Sequence, residues 1–223
     1  MNTTKKIIVT LVVLTSLALA YLLFFSPKSF DELKQSVAPT ASLYPEAKEV
    51  SSTLTFINDD SRATHLSEVS DNKWVLMYFG YTSCPDVCPM DLGKISQTLH
   101  GVERKDDLQV VFISVDPARD VGKLSAFAKG FNGNFVGLSA HEEDLAVISK
   151  TLGIYHQVVA AQKKAASHSH DEHAEKDHAH YEVDHTTSYL LLNPELALTA
   201  ILSSPHEPGA MAGALDEIIT TLR

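Results

Sequence analysis

The stretch 74–90, Trp74-Val75-Leu76-Met77-Tyr78-Phe79-Gly80-Tyr81-Thr82-Ser83-Cys84-Pro85-Asp86-Val87-Cys88-Pro89-Met90, decides the fold. Its first six residues are an unbroken apolar run, the pattern of a strand covered on both faces. A short loop with two cysteines follows, and a helical pattern runs from residue 90 to 99. Working outward, 109–115 (QVVFISV) is a second apolar strand and 188–192 (SYLLL) a third. Asn193-Pro194-Glu195 then turns the chain into a fourth strand near 198–202, and 54–57 and 155–159 are weaker strand candidates. Helical patterns occupy 121–129, 142–152 and 210–222. Asp120 and His141-Glu142-Glu143-Asp144 place acidic groups at helix starts, where the macrodipole favours them. Strands alternating with helices predict an α/β domain around a central sheet.

The chain has 223 residues, of which 44% are hydrophobic, with 10 glycines and 9 prolines, which excludes a collagen-like or wholly disordered protein. The length suits one domain of about 150–200 residues plus an appendage. With 28 acidic against 18 basic residues the net charge is −10, which argues against nucleic acid as a partner.

Residues 7–25 carry no charge and follow Lys5 and Lys6. A helix of 19 residues spans about 28 Å, close to the thickness of a bilayer's hydrocarbon core. The lysines orient it with everything after Phe25 on the far side. A cleaved signal peptide with Ala18-Leu19-Ala20 at its site is the competing reading, although the apolar run continues past that site. Either reading exports the domain. The organisation expected is an anchor over 1–25, a tether over 26–50 with Pro27, Pro39 and Pro45, and a domain over 51–223. The expected location is the bacterial inner membrane, single-pass, with the soluble domain facing the periplasm. Without Lys5 and Lys6 the remainder carries 16 basic against 28 acidic residues, a net −12, so it is no simple binder of anionic lipid.

Cys84 and Cys88 are the only cysteines. They sit between a strand end and a helix start, an electropositive setting that favours thiolate. A dithiol redox motif usually has two intervening residues; here there are three. One helical turn is 3.6 residues, so both sulfurs can point the same way as a pincer with an open third position. Thiolates select Cu(I), zinc or iron–sulfur centres, and two are too few for a Cys₄ site, so a metal needs a further ligand. A structural disulfide and thiol–disulfide exchange stay open as alternatives.

FGYTSCPDVCP, with VDPARD at 115–120 and VDHTTSYLLLNP at 183–194, resembles the Sco/SenC family of copper chaperones over roughly residues 50–223. The resemblance implies a membrane-anchored, thioredoxin-like domain that assists assembly of the CuA centre of cytochrome c oxidase. It implies one copper held by Cys84, Cys88 and His185; the thiolates suit Cu(I), and Cu(II) stays open as a second carried state. It also implies the copper-site subunit of the oxidase as partner, with an upstream periplasmic copper donor. His185 precedes the SYLLL strand, in a loop that faces the cysteine-bearing helix start in thioredoxin-like sheets. Thioredoxins usually place a cis-proline there, whereas no proline occurs from 160 to 192. In VDPARD, Pro117 fixes a turn and Asp120 caps the next helix. Asp116 stands on the same sheet edge as the cysteines and could tune the site from behind the ligands.

An insertion at about 160–182 holds His168, His170, His173, His178 and His180 among small and charged residues. Imidazoles bind Cu(II), Zn(II) and Ni(II), so the tract is either an auxiliary copper-collecting arm or a tolerated polar loop. The remaining histidines, His65, His100, His141, His156 and His206, read as surface or loop residues. No nucleophile–base–orienter set appears, which favours a metallochaperone over an enzyme. The alternative function is a thiol–disulfide oxidoreductase that reduces the cysteines of the target copper subunit, cycling between dithiol and disulfide.

Overall fold

The computed structural model describes residues 3–24, 28–50, 54–160, 181–185 and 187–222. The elements in chain order begin with α1 (Thr3–Phe24), α2 (Phe30–Val37), β1 (Ala41–Glu49), β2 (Thr55–Ile57), β3 (Ala63–His65) and α3 (Leu66–Ser70). Next come β4 (Trp74–Gly80), α4 (Val87–Gly101), β5 (Leu108–Ser114), α5 (Pro117–Asp120), α6 (Leu124–Lys129) and β6 (Val136–Leu138). The chain closes with α7 (Glu142–Leu152), β7 (His156–Ala160), β8 (Tyr181–His185), β9 (Tyr189–Leu192), β10 (Ala197–Leu202) and α8 (Pro208–Thr221).

All seven residues of β4 are buried, as its unbroken apolar run requires of a central strand. It pairs in parallel with β5, from Trp74↔Leu108 to Gly80↔Ser114, and antiparallel with β9. The sheet has six strands in the order β1-β10-β9-β4-β5-β6. The β9–β10 hairpin is closed by Asn193, whose Oδ1 accepts the Ala197 N–H at 2.7 Å. Helix α8 packs against α4 and α2. Gly137 in β6 is required by close approach: a Cβ there would lie 2.2 Å from the Leu124 carbonyl oxygen of α6.

The stretch 26–50, expected to be a tether, carries α2 and β1 instead. Ser29 and Glu32 form a reciprocal capping box at the start of α2. Leu33 and Val37, one turn apart, bury into the core. Ala41 and Leu43 alternate inward as β1 pairs antiparallel with β10. Pro45 is tolerated because β1 is an edge strand, and it falls where the register shifts between Leu43 and Lys48.

The segment expected to be an anchor forms the helix α1, with Ile7, Leu11, Leu14 and Leu17 each more than half exposed. Several side chains of α1 lie outside the described residues; among those described, no helix is long and apolar enough to cross a membrane. Strands β7 and β8 form a separate two-stranded antiparallel ribbon, registered from His156↔His185 to Ala160↔Tyr181. The insertion joins their far ends, and His168, His170, His173, His178 and His180 lie outside the described residues.

Candidate metal centre

Strand β4 ends at Gly80 on the sheet edge where its parallel neighbour β5 ends at Ser114. Strand β9 runs the other way, with Met77↔Leu190 in register, so the chain enters β9 at that same edge. Three loops therefore converge: Tyr81 to Asp86 with the cysteines, the turn after β5 with Asp116, and the lead into β9 after His185. The backbone thus gathers the three motifs at one end of the sheet.

Cys84 is half-buried and Cys88 fully buried on the inward face of α4. The Cys84 sulfur accepts the Cys88 N–H at 3.3 Å, and the two thiols are in hydrogen-bonding contact. Burial, and then the neighbouring Cys84 sulfur, push the Cys88 thiol up to about 12. The Tyr81 main chain and the Tyr78 hydroxyl hydrogen-bond the Cys88 sulfur and pull the other way, without overcoming desolvation. Metal-free Cys88 is therefore a thiol at neutral pH, and a soft cation entering the site must displace its proton. Neither cysteine is in a disulfide, and the two are close enough to clasp one metal ion and suited also to closing on each other.

Gly80 makes room for this arrangement. A Cβ at Gly80 would lie 2.9 Å from the Cys88 sulfur, with the rings of Phe112 and Tyr78 at 3.2 and 3.3 Å. Beneath Cys88 lies a buried polar floor. Tyr78 meets Tyr189 edge-on at 5.4 Å, and Tyr189 stacks on His206 at 3.8 Å. His206 Nδ1 lies 3.7 Å from Asp91 of α4, and burial pushes both tyrosine hydroxyls well above their ordinary range. His206, expected to be a surface or loop residue, lies in the loop between β10 and α8 but is buried there, 3% exposed, with its Nε2 3.3 Å from the Leu202 carbonyl oxygen.

Asp120 also differs from expectation. It ends α5 and caps no helix; its fully buried carboxylate accepts the Thr82 N–H at 2.7 Å, the Thr82 hydroxyl at 2.6 Å and the Ser114 hydroxyl at 2.6 Å. It ties the cysteine loop to the end of β5. The capping role at α6 falls to Asp59, which accepts the N–H groups of Gly122, Leu124 and Ser125. Asp116 is buried and ion-paired with Arg119, whose guanidinium lies 5.6 Å above the Tyr81 ring. Asp116 so reaches the cysteine loop through Arg119 and Tyr81.

His185 closes β8 opposite His156; its side chain lies outside the described residues. Among the described residues no group of three His, Cys, Asp or Glu side chains assembles around a point. His156, also expected to be a surface or loop residue, instead opens β7 and is half-buried, with Nδ1 3.0 Å from Ser149 Oγ of α7. His65, His100 and His141 are exposed.

The family model described as SCO1/SenC matches residues 43–220. Among curated proteins, the chain is 36% identical over 127 residues to the mitochondrial SCO2 homolog of Mus musculus, covering 55% of this chain and 44% of that one. It is 32% identical over 164 residues to the mitochondrial SCO1 homolog of Homo sapiens, covering 70% of this chain and 50% of that one. The chain thus spans about half the length of the curated relatives it matches. Among solved structures it is similar to Arabidopsis thaliana ScoI with copper bound, with a TM-score of 0.61 and 27% identity over 75% of this chain and 96% of that one.

Proposed function

Because the chain belongs to the SCO1/SenC family, we propose that it is a copper-binding metallochaperone that assists assembly of the CuA site of cytochrome c oxidase. Its cargo is one Cu(I) held by Cys84, Cys88 and His185. The observation that carries this reading is the pair of contacting thiols at the end of β4, one buried and one half-exposed, on the edge where the chain enters β9 after His185. Soft thiolates suit Cu(I), and three ligands leave room for an acceptor's thiolate or thioether to enter. A relative with copper bound supports the cargo. Asp116 would tune the site through Arg119 and Tyr81. The copper-site subunit of the oxidase is the proposed acceptor, and a periplasmic copper carrier the proposed donor.

The uncharged run at 7–25 supports a single-pass anchor in a bacterial inner membrane with the domain facing the periplasm. The histidine tract at 168–180 would serve as an auxiliary copper-collecting arm.

A second reading, a thiol–disulfide oxidoreductase acting on the target subunit, is favoured by the contact between two thiols that are not joined in a disulfide. The deciding experiment is anaerobic Cu(I) competition against a chromophoric chelator, using wild type, Cys84→Ser/Cys88→Ser, His185→Ala and a deletion of 165–180. One tight copper, lost with the cysteines, collapsing in His185→Ala and kept in the deletion, supports the chaperone. Absence of tight copper in wild type, with disulfide exchange intact in His185→Ala, establishes the oxidoreductase instead.

A further inference from the structure

The floor beneath Cys88 is a chain of three rings that starts at the sulfur and ends on a polar anchor. Tyr78 of β4, Tyr189 of β9, His206 and Asp91 of α4 come from four separate parts of the fold, and each is at most 4% exposed. Beside Gly80 the Cys88 sulfur and the Tyr78 ring close on one point, at 2.9 and 3.3 Å. The Tyr78 hydroxyl is in hydrogen-bonding contact with that sulfur. The Tyr189 ring stands at 88° to the Tyr78 ring and lies within 21° of parallel to the His206 ring. His206 is held at both nitrogens: Nε2 faces the Leu202 carbonyl oxygen of β10, and Nδ1 faces the Asp91 carboxylate. A carbonyl oxygen only accepts, so Nε2 carries a proton. The far end of the ring chain is thus tied to β10 and to α4, one helical turn beyond Cys88. Polar groups so placed cost desolvation that phenylalanine or leucine would not, so packing alone does not account for them.

We propose that the Tyr78 hydroxyl donates a hydrogen bond to the copper-bound Cys88 thiolate, and that His206 and Asp91 are positioning residues that act through Tyr189 to hold it there. The inference rests on the proposed function in that copper is the metal on Cys88. Once the Cys88 proton has left, the sulfur can only accept, and the buried hydroxyl beside it becomes its donor. A hydrogen bond to a charged acceptor is stronger than one between neutral groups, and partners around a cysteine ligand set how firmly it holds its metal. His206 and Asp91 touch no ligand in this arrangement. Their effect travels from ring to ring, and it exists only while Tyr78 has a hydroxyl to aim.

The test is a double-mutant cycle on Cu(I) affinity, measured anaerobically by chelator competition on the full chain. Cys84→Ser/Cys88→Ser gives the background bound elsewhere. Tyr78→Phe removes one oxygen and keeps the ring; it is expected to weaken Cu(I) binding about tenfold, the lower end of what loss of an outer partner costs a metal site. His206→Phe keeps a ring against Tyr189 and loses both nitrogens; it is expected to weaken binding about fivefold. The pair Tyr78→Phe/His206→Phe is expected to bind no more weakly than Tyr78→Phe alone, because the hydroxyl that His206 aims is already gone. X-ray absorption of the loaded chains is expected to show two sulfurs on copper in every variant. Unchanged affinity in Tyr78→Phe overturns the donor, and so does loss of a sulfur there. Losses that multiply in the double variant overturn the positioning role, since a merely structural residue would act independently of the hydroxyl. Should His206→Phe fail to fold in urea and circular dichroism controls, Asp91→Asn closes the same cycle from the other anchor, with a loss of about threefold that vanishes in the Tyr78→Phe background. Absence of tight Cu(I) in wild type overturns the proposed function and this inference together; tight binding indifferent to Tyr78→Phe overturns this inference alone.

Discussion

Replacing Asp120 with alanine is expected to unfasten the cysteine loop from the sheet. The carboxylate accepts three hydrogen bonds between 2.6 and 2.7 Å in a fully buried setting. Hydrogen bonds to a charged group contribute about 1.5–3 kcal/mol each. The Thr82 and Ser114 hydroxyls can rotate toward other acceptors, which recovers part of the loss. The Thr82 N–H is fixed in the main chain and has no such freedom. The expected destabilisation is therefore about 3–5 kcal/mol, a large share of a typical domain's 5–15 kcal/mol. At roughly 2–4 °C per kcal/mol for a chain of this size, thermal unfolding should fall by about 10 °C. Because the same carboxylate fixes Thr82, two residues before Cys84, Cu(I) affinity should fall at least tenfold, and Asp120→Asn should give smaller losses of both. The assays are urea and thermal unfolding of the metal-free protein, then Cu(I) competition on the folded fraction. A stability loss below about 1 kcal/mol would refute the reasoning, because a buried triple acceptor cannot be removed so cheaply.

The raised Cys88 thiol sets a pH dependence. With the metal-free thiol at about 12, each copper bound between pH 6 and 9 releases the Cys88 proton, so affinity should climb about tenfold per pH unit from this residue alone; a flat competition curve over that range contradicts it. Gly80→Ala forces a Cβ to within 2.9 Å of the Cys88 sulfur and against two rings, and should cost about 1–3 kcal/mol of stability together with copper affinity. Gly137→Ala drives a Cβ into the Leu124 carbonyl; it should destabilise at least as much, while protein that remains folded binds copper with unchanged stoichiometry. Leu33→Ala removes a fully buried side chain from α2 and should cost about 2–5 kcal/mol; a null effect in urea unfolding would return 26–50 to the status of a tether.

The sequence announces what is apolar and continuous. Strands β4 and β5 stand out because central strands covered on both faces have no polar alternation to blur them. Helix α7 is legible from its acidic start and its Gly153 stop, which takes the left-handed conformation. Strand β1 is hidden for the opposite reason: an edge strand buries only part of one face, and Ala41-Ser42-Leu43-Tyr44-Pro45-Glu46 reads as linker composition. Strand β6 has only three residues, too few for a period. In the candidate site, the cysteines and the VDH segment carry local motifs. Asp120 ends the VDPARD motif, but its role is not legible there, because its partner Thr82 is 38 residues away and the local pattern points to a cap. Likewise nothing adjacent to His206 signals that Tyr189 and Asp91 will close over it.

The two rims of the six-stranded sheet also bear on how such domains behave when crowded. Unpaired main-chain groups along a long, flat rim recruit strands from other chains. Here one rim, β1, is broken by Pro45 and a register shift and carries Glu46, Lys48 and Glu49. The opposite rim, β6, is three residues long, and just beyond it Ile57 and Ser139 exchange both main-chain hydrogen bonds, at 2.8 and 2.9 Å. Neither rim of the six-stranded sheet therefore presents a long, flat template for the addition of another strand.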